Sequence, residues 1–374
     1  MDYRLDKQVA ASALASLEDF RWLFANLGID PRYRDWFRHR AWVRTIHGTT
    51  RIEGNSLSDL EVEELLERMP VTQQKDALEV LATREALSFV DEVGPDEGLV
   101  VDERVIREIH KRVLDDIDPI LRPGEYRTGE NRVGDADGNI IFATALSGDV
   151  PDVMHRFGQW LRDGTSREHP AIAAALAHLE LVGIHPFYDG NGRTARALAR
   201  LLLIHHGYAL DGLVSVDAYL DLQRREYFAA IRETLGASYS RGYDATPFVA
   251  YFLRAITGAA EHVLTRVKGV TELLRVLRDE VASGALTPQL TDALVFAWIN
   301  GSIRPSDYRS ISGRTGPSAT RDLGVAVRSG YLSASGVTSS RRYIAGPKLK
   351  AVLPVAVAPR ADSAKSGGHH RQKD

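Results

Sequence analysis

The run AIAAALAHLELVGI (171–184) leads without a break into HPFYDGNGRTARALAR (185–200). The first segment is apolar around almost its whole helical circumference, so it reads as a buried helix. The second leaves that helix through a loop and begins another helix at Arg193. Gly190 and Gly192 mark the turn between them. A chain with this feature is constrained to a helix, a tight polar turn and a second helix.

The turn gathers residues suited to phosphate chemistry. Gly190 and Gly192 flank Asn191, so the backbone can present N–H groups with no Cβ in the way, where a helix N-terminus adds positive potential. Asp189 is a hard carboxylate suited to Mg²⁺, an ion that completes its shell with water and phosphate oxygens. Arg193 and Arg196 share one helix face and offer planar, always-charged forks. His185, with an ordinary pKa near 6.5, can take a proton from an incoming hydroxyl. Pro186 stiffens the loop, and Phe187 is expected to bury its ring beneath it. Each feature alone would be ordinary structure. The combined pattern H-x-F-x-D-G-N-G-R-x-x-R arises by chance in such a chain on the order of once in 10⁸ at ordinary residue frequencies.

At every defining position the segment resembles the signature of the Fic family of AMP transferases. Related death-on-curing toxins, which phosphorylate their targets, usually carry lysine at the second glycine of the turn. This chain keeps Gly192, which favours AMP transfer. The resemblance implies His185 as general base, Asp189 as Mg²⁺ ligand, Gly190, Asn191 and Gly192 as a phosphate cradle, and Arg193 and Arg196 as a phosphate clamp. It implies ATP as donor and a Ser, Thr or Tyr hydroxyl of a target protein, or of the chain itself, as acceptor.

Upstream, IHGTTRIEGNSLS contains Thr49, Glu53 and Gly54 in the pattern [ST]-x-x-x-E-[GN]. Thr49 and Glu53 lie one turn apart on one face, and Gly54 ends the helix. The segment resembles the inhibitory helix of many Fic proteins, in which the glutamate pairs with the second signature arginine, here Arg196, and obstructs the γ-phosphate. The resemblance also allows this glutamate to orient a water for the reverse reaction, removal of AMP. The alternatives to AMP transfer are therefore AMP removal, transfer of another phosphate-containing group, and, from a different class, a DNA-binding regulator whose core senses nucleotide.

The 374 residues suffice for two or three domains. The absence of cysteine excludes disulfides and thiolate metal sites. No apolar run approaches the ~18 residues of a membrane span, and the N-terminus is not signal-like, so the expected location is the cytoplasm. A net charge of −3 gives no global nucleic-acid signature. His178, Glu180 and His185 superficially resemble metal ligands, but residues two apart cannot share a helix face.

The expected fold is mainly α: a Fic-type helical core with a small β-hairpin flap and a C-terminal winged helix-turn-helix. The domains expected are 1–100 with the inhibitory motif at 49–54, a catalytic core at 101–260, a winged helix at 270–350 and a disordered tail at 355–374. Periodicity predicts helices over 6–27, 58–68, 74–93, 102–116 (with Asp102 as N-cap), 217–233 and 247–267. Between 121 and 151, Gly-rich turns and the run IIFATAL suggest a hairpin. By resemblance this is the flap that holds a target by strand addition, with Ile140, Ile141 and Phe142 as flap residues. Tyr227 is a candidate adenine contact on the same ground. Downstream, 305–312, a turn at 313–317 and 318–328 read as the second and recognition-position helices, followed by a wing. Arg314, Arg321, Arg328, Arg341 and Arg342 make this part locally basic. Protein contact is favoured over DNA binding because the cluster is modest. Dimerisation is a further association the resemblance implies.

Overall fold

Helices dominate the computed structural model, which describes residues 1–134, 140–336 and 341–352. A short strand, β1 (Tyr3–Arg4), precedes α1 (Lys7–Ala25), which starts at Asp6, whose side chain accepts from the Gln8 amide. Asp30 plays the same part for α2 (Pro31–Ile52), with Pro31 fixing the first helical φ. Past Glu53, Gly54 turns the chain at φ 99°. A reciprocal Ser58–Glu61 capping box then opens α3 (Asp59–Arg68). Helices α4 (Lys75–Val93) and α5 (Glu103–Val113) follow, the latter capped by Asp102 as expected.

The hairpin lies between α5 and the core pair. Strands β2 (Arg132–Gly134) and β3 (Ile140–Ala143) are antiparallel, with Val133 opposite Phe142 and Gly134 opposite Ile140. Then come α6 (Val150–Asp163), α7 (Pro170–Ile184) and α8 (Asn191–His205). Helix α7 is the expected buried helix: of its residues, only Pro170 and Val182 are not fully buried. Its alanines at 171, 173, 174, 175 and 177 let α8, α6 and α11 approach closely.

Two helix assignments needed correction. The expected single helix over 217–233 is two, α9 (Val216–Leu222) and α10 (Arg224–Leu235), because Gln223 leaves the helical region at φ −103°, ψ 34°. After β4 (Tyr243–Asp244), which pairs in parallel with β1, the helix expected at 247–267 is α11 (Thr246–Ala282). It is 37 residues long, about 55 Å at 1.5 Å per residue. The amphipathic pattern continues through Leu273 and Leu277 and stops only at Ser283 and Gly284, so α11 crosses the boundary expected at 260–270.

The remaining elements are α12 (Leu290–Asn300), β5 (Ser302–Ile303), α13 (Pro305–Ser312), α14 (Gly316–Arg328), β6 (Leu332–Ser335), β7 (Arg342–Ala345) and α15 (Pro347–Ala351). The three strands form an antiparallel sheet in the order β5-β7-β6. Helix α14 begins at 316 rather than 318, with Pro317 in its first turn. This C-terminal part packs on the N-terminal helices. Phe296 meets Trp36 edge to face with centroids 5.1 Å apart, and Asp292 accepts from Tyr33 (2.7 Å) and Arg32 (2.5 Å). One cluster of buried apolar side chains runs from Ala10 to Leu349. The expected tail at 355–374 lies outside the described residues.

Candidate functional site

Helix α7 ends at His185, which adopts a left-handed conformation (φ 53°, ψ 59°) while its amide still closes the last helical turn on Leu181. A residue with a Cβ adopts this region only where its surroundings hold it there. Two contacts from outside the segment hold it: Arg127 Nε donates to the His185 carbonyl (2.8 Å), and the Arg127 amide donates to the Pro186 carbonyl (2.9 Å). The His185 ring places Nδ1 3.2 Å from the Val182 carbonyl. A carbonyl only accepts, so Nδ1 carries the proton and Nε2 keeps its lone pair. Burial lowers the His185 pKa from its ordinary value. The imidazole is thus neutral at pH 7, as a general base requires.

The rest of the loop is clamped from below. Phe187 is buried, as expected, and stacks on His110 with centroids 3.5 Å apart. His110 accepts from the Gly124 amide at Nδ1 (2.9 Å), which leaves Nε2–H to donate to the Asp189 carbonyl (3.0 Å). Desolvation lowers its pKa to about 4, so this pairing persists at neutral pH. The Asn191 side chain accepts from the Phe187 amide and donates to the Phe187 carbonyl, both at 3.0 Å. The Asn191 side chain is thus spent on the loop, and its backbone is left for a phosphate. Sequence reasoning passed over His110 and Arg127. Both act across long sequence separations that no local pattern signals.

At the start of α8, Gly190 takes φ 72° and no side chain caps the helix. Asp189 accepts the Gly190 amide (2.7 Å), lies 3.5 Å from Arg193 Nη2 and keeps 48% of its side chain exposed. Arg193 is buried, and its Nε and Nη1 have no hydrogen-bond partner. An unmatched buried guanidinium is costly, and an anion beside it removes the cost. Among the described residues no cluster of three His, Asp or Glu could hold a metal ion. Asp189, half exposed beside the turn, is a carboxylate that could serve a cation taking most of its ligands from water and a bound nucleotide.

Arg196, one turn further, is in the opposite condition. Its Nε donates to Thr49 Oγ1 (2.6 Å), and its Nη2 donates to the Thr49 carbonyl (2.9 Å) and to Glu53 Oε1 (2.6 Å). Asp217 Oδ1 lies 3.6 Å from Nε. The Glu53 carboxylate also lies against the turn: a Cβ on Gly192 would fall 2.2 Å from Glu53 Oε1. Glycine at 192 is what lets the α2 carboxylate reach the first turn of α8. Gly54, at φ 99°, frees the chain to turn away immediately after delivering it.

Two peripheral expectations fare differently. Tyr227 is 1% exposed, and its hydroxyl shares a 2.8 Å hydrogen bond with His178. Its ring has no open face for a base, so it is corrected to a core residue. His178 Nε2 is thereby occupied, and Glu180 accepts from Tyr239 (2.9 Å) and Tyr243 (2.7 Å). Phe142 of the hairpin is also buried, against the expectation of a target-facing flap residue. At Ala143 the outer edge of β3 is already paired with the segment after α10, through Ala143 N to Ala237 O (2.9 Å) and Tyr239 N to Ala143 O (2.8 Å). Ile140 and Ile141 lie on β3. The hairpin tip, 135–139, is outside the described residues.

Residues 100–203 match the model of the Fic/DOC family. That stretch of the chain is similar to a Fic domain. It is 36% identical over 175 residues to "Protein adenylyltransferase Fic" of Drosophila ananassae, covering 46% of this chain and 34% of that protein. The protein of the same name in Aedes aegypti is 36% identical over 172 residues, covering 45% and 33%. The chain thus spans about a third of the length of these relatives. Among solved structures it resembles residues 134–508 of Fic-1 from C. elegans, with a TM-score of 0.58 at 26% identity over 70% of this chain and 74% of that one. A Fic family protein from Desulfovibrio desulfuricans G20 shares the fold over 93% of this chain and 98% of its own, with a TM-score of 0.57 at 21% identity. The matched domain contains the loop but not Glu53.

Proposed function

We propose that this chain transfers AMP from ATP to a Ser, Thr or Tyr hydroxyl of a target protein and that Glu53 holds it off at rest. The observation that carries this reading is the contrast around the α8 turn. A neutral His185 and an unmatched Arg193 stand beside an Arg196 already occupied by a carboxylate from α2. The names of the relatives support the same chemistry.

In the proposed reaction His185 Nε2 accepts the proton of the target hydroxyl while its oxygen attacks the α-phosphorus. The bond from the α-phosphorus to the bridging oxygen breaks, and pyrophosphate leaves. Arg193 and the amides of the 190–192 turn neutralise phosphate charge, and most of the acceleration comes from that positioning. Asp189 would hold Mg²⁺, which supplies charge neutralisation on the departing pyrophosphate. ATP's γ-phosphate needs the Arg196 fork that Glu53 takes, so release of Glu53 is the activating event. The cytoplasm, where ATP and protein targets coexist, is the compartment this reading expects. Among the described residues no helix is long and apolar enough to cross a membrane.

A second direction has one observation in its favour. Glu53 keeps 38% of its side chain exposed and commits only Oε1 to Arg196, which leaves Oε2 to orient a water for AMP removal. DNA binding by a C-terminal winged helix is less favoured. Arg342 is tied to Glu63 and Glu64, and Arg314 lies 3.2 Å from Asp322, so two of the five arginines are already neutralised. The deciding experiment incubates wild type, Glu53→Gly and Glu53→Gly/His185→Ala with Mg²⁺ and α-labelled ATP, following label on the protein and in a lysate. Label that appears with Glu53→Gly and vanishes in the double variant is the expected result. Silence from a Glu53→Gly protein that binds ATP turns the reading toward AMP removal.

A further inference from the structure

Away from the turn, helices α2, α9 and α11 line a half-open pocket of about 50 Å³. At ~10–15 Å³ of such space per water, it has room for several waters or one small oxyanion. Its walls carry Arg40 and Arg44 from α2, His262 and Arg266 from α11, and Ser215 and Tyr219 beside them. Arg40 with Arg44, and His262 with Arg266, each have the four-residue spacing that places side chains on one helix face.

The charges here do not balance. Asp59 pairs with Arg40 through Nη2, but Arg40 Nη1 is buried with no partner. Arg266 Nη2 donates to the carbonyls of Trp298 (3.0 Å) and Ile299 (2.9 Å), which are dipoles rather than counter-charges. Arg44 makes no hydrogen bond or ion pair among the described residues, and the charges acting on it are Arg40 and Asp59. Glu63, the other acid near Arg40, is shared with Arg342 and has its pKa raised by burial. The shifts agree with a positive pocket: burial and the neighbouring arginines lower Arg266 to about 10 and His262 to about 4.

We propose that this pocket is a binding site for a phosphate-type oxyanion, separate from the nucleotide turn, with Arg44 as its principal ligand and Arg40 Nη1 and Arg266 completing the cradle. A tetrahedral dianion matches both the surplus charge and the volume, and the arginine forks suit its oxygens. The ligand is either inorganic phosphate or the phosphate end of a monoester. Its site lies on the same helix that delivers Glu53, nine residues before it.

The test uses Arg193→Ala protein, which blunts anion binding at the nucleotide turn, and follows inorganic phosphate and methyl phosphate by calorimetry and thermal unfolding in chloride buffer. Saturable binding of one phosphate is expected. Adding Arg44→Gln should weaken it about tenfold or more, the scale of one hydrogen bond to a charged group. Arg44→Lys should bind between the two. Without phosphate, Arg44→Gln should unfold at the same or a higher temperature, because it removes an unmatched charge. Binding of methyl phosphate as tightly as phosphate points to a monoester, and exclusion of it points to the free ion. No saturable binding, equal stabilisation of Arg44→Gln and its parent by phosphate, or a fall in the unfolding temperature of Arg44→Gln in chloride would each overturn the proposal. If Arg44→Gln does not fold, Arg44→Lys binding phosphate as tightly as its parent does the same.

Discussion

Arg193 and Arg196 lie three residues apart on α8, both buried, yet among the described residues Arg193 meets only Asp189, at 3.5 Å, and leaves Nε and Nη1 without a partner, whereas Arg196 is engaged through both Nε and Nη2. The first belongs to the α7–α8 turn, which is braced by α5 and the hairpin base. The second belongs to a clamp that reaches in from α2. On the proposed reading the difference teaches that a phosphate-binding surface would be half complete, with the chain itself supplying an anion at the Arg196 end. A site that bound nucleotide without regulation would leave both arginines open.

The largest expected effect separates chemistry from clamp. In a Glu53→Gly background, His185→Ala should lower AMP transfer by about 10²- to 10⁴-fold, the usual contribution of a general base. ATP binding measured by calorimetry should change little. A comparable loss of ATP affinity would mean that His185 serves the turn's shape rather than the proton.

Next comes the clamp itself. Glu53→Gly should raise transfer by about 10- to 100-fold, the equivalent of one charge-assisted hydrogen bond competing with the γ-phosphate. Thr49→Val should give part of this gain and also cost about 1–3 kcal/mol of stability, since Arg196 Nε would lose its 2.6 Å acceptor. Equal rates in wild type and Glu53→Gly would show that the pair is structural.

The turn can be probed through pH. His110 has a folded pKa of about 4 against about 6.5 when unfolded. Between those values the unfolded chain binds a proton that the folded chain refuses, so stability falls as pH drops through the window. At ~1.36 kcal/mol per pH unit, His110 should account for up to about 3 kcal/mol of the loss. His110→Gln keeps a donor for the Asp189 carbonyl and an acceptor for the Gly124 amide. Denaturant titrations from pH 7 to pH 4 should show a shallower decline for this variant, and an unchanged slope would refute the assignment.

Where turn and clamp touch, Gly192→Ala should show opposite signs in two backgrounds. With Glu53 present, the new methyl displaces the carboxylate and transfer rises modestly. With Glu53→Gly, the methyl intrudes on phosphate space, and transfer should fall about tenfold, in the range of an overpacked contact. A fall in both backgrounds would break the idea that Glu53 and a phosphate compete for the same volume.

The turn is legible in the amino-acid sequence itself, because its residues are contiguous and each type has one evident use. The helices at 58–68 and 74–93 are equally plain from periodicity. The parts that are not legible share a physical cause. Gln223 interrupts a segment whose apolar spacing is continuous, and the interruption is a backbone event without a breaker residue. Tyr227 cannot be assigned from sequence, since an aromatic on a helix does not declare which neighbour it faces. Asp217 is buried near Arg196 with its pKa raised by desolvation, yet in sequence it is only a first-turn acid of α9. Arg127 binds the His185 carbonyl across 58 residues.

The smallest expected effect asks how far the clamp extends. The C-terminal part grips α3, which starts five residues after Gly54: Arg342 pairs with Glu64 at 2.7 Å and with Glu63 at 3.5 Å, and Arg304 pairs with Glu67. Arg342→Gln should loosen α3, visible as faster amide hydrogen exchange over 59–68. Because these groups share no partner with Arg196, transfer should change by under about threefold. A gain as large as that of Glu53→Gly would move the boundary of the clamp. The C-terminal part would then hold Glu53 in place through α3, and whatever binds that part would be positioned to release it.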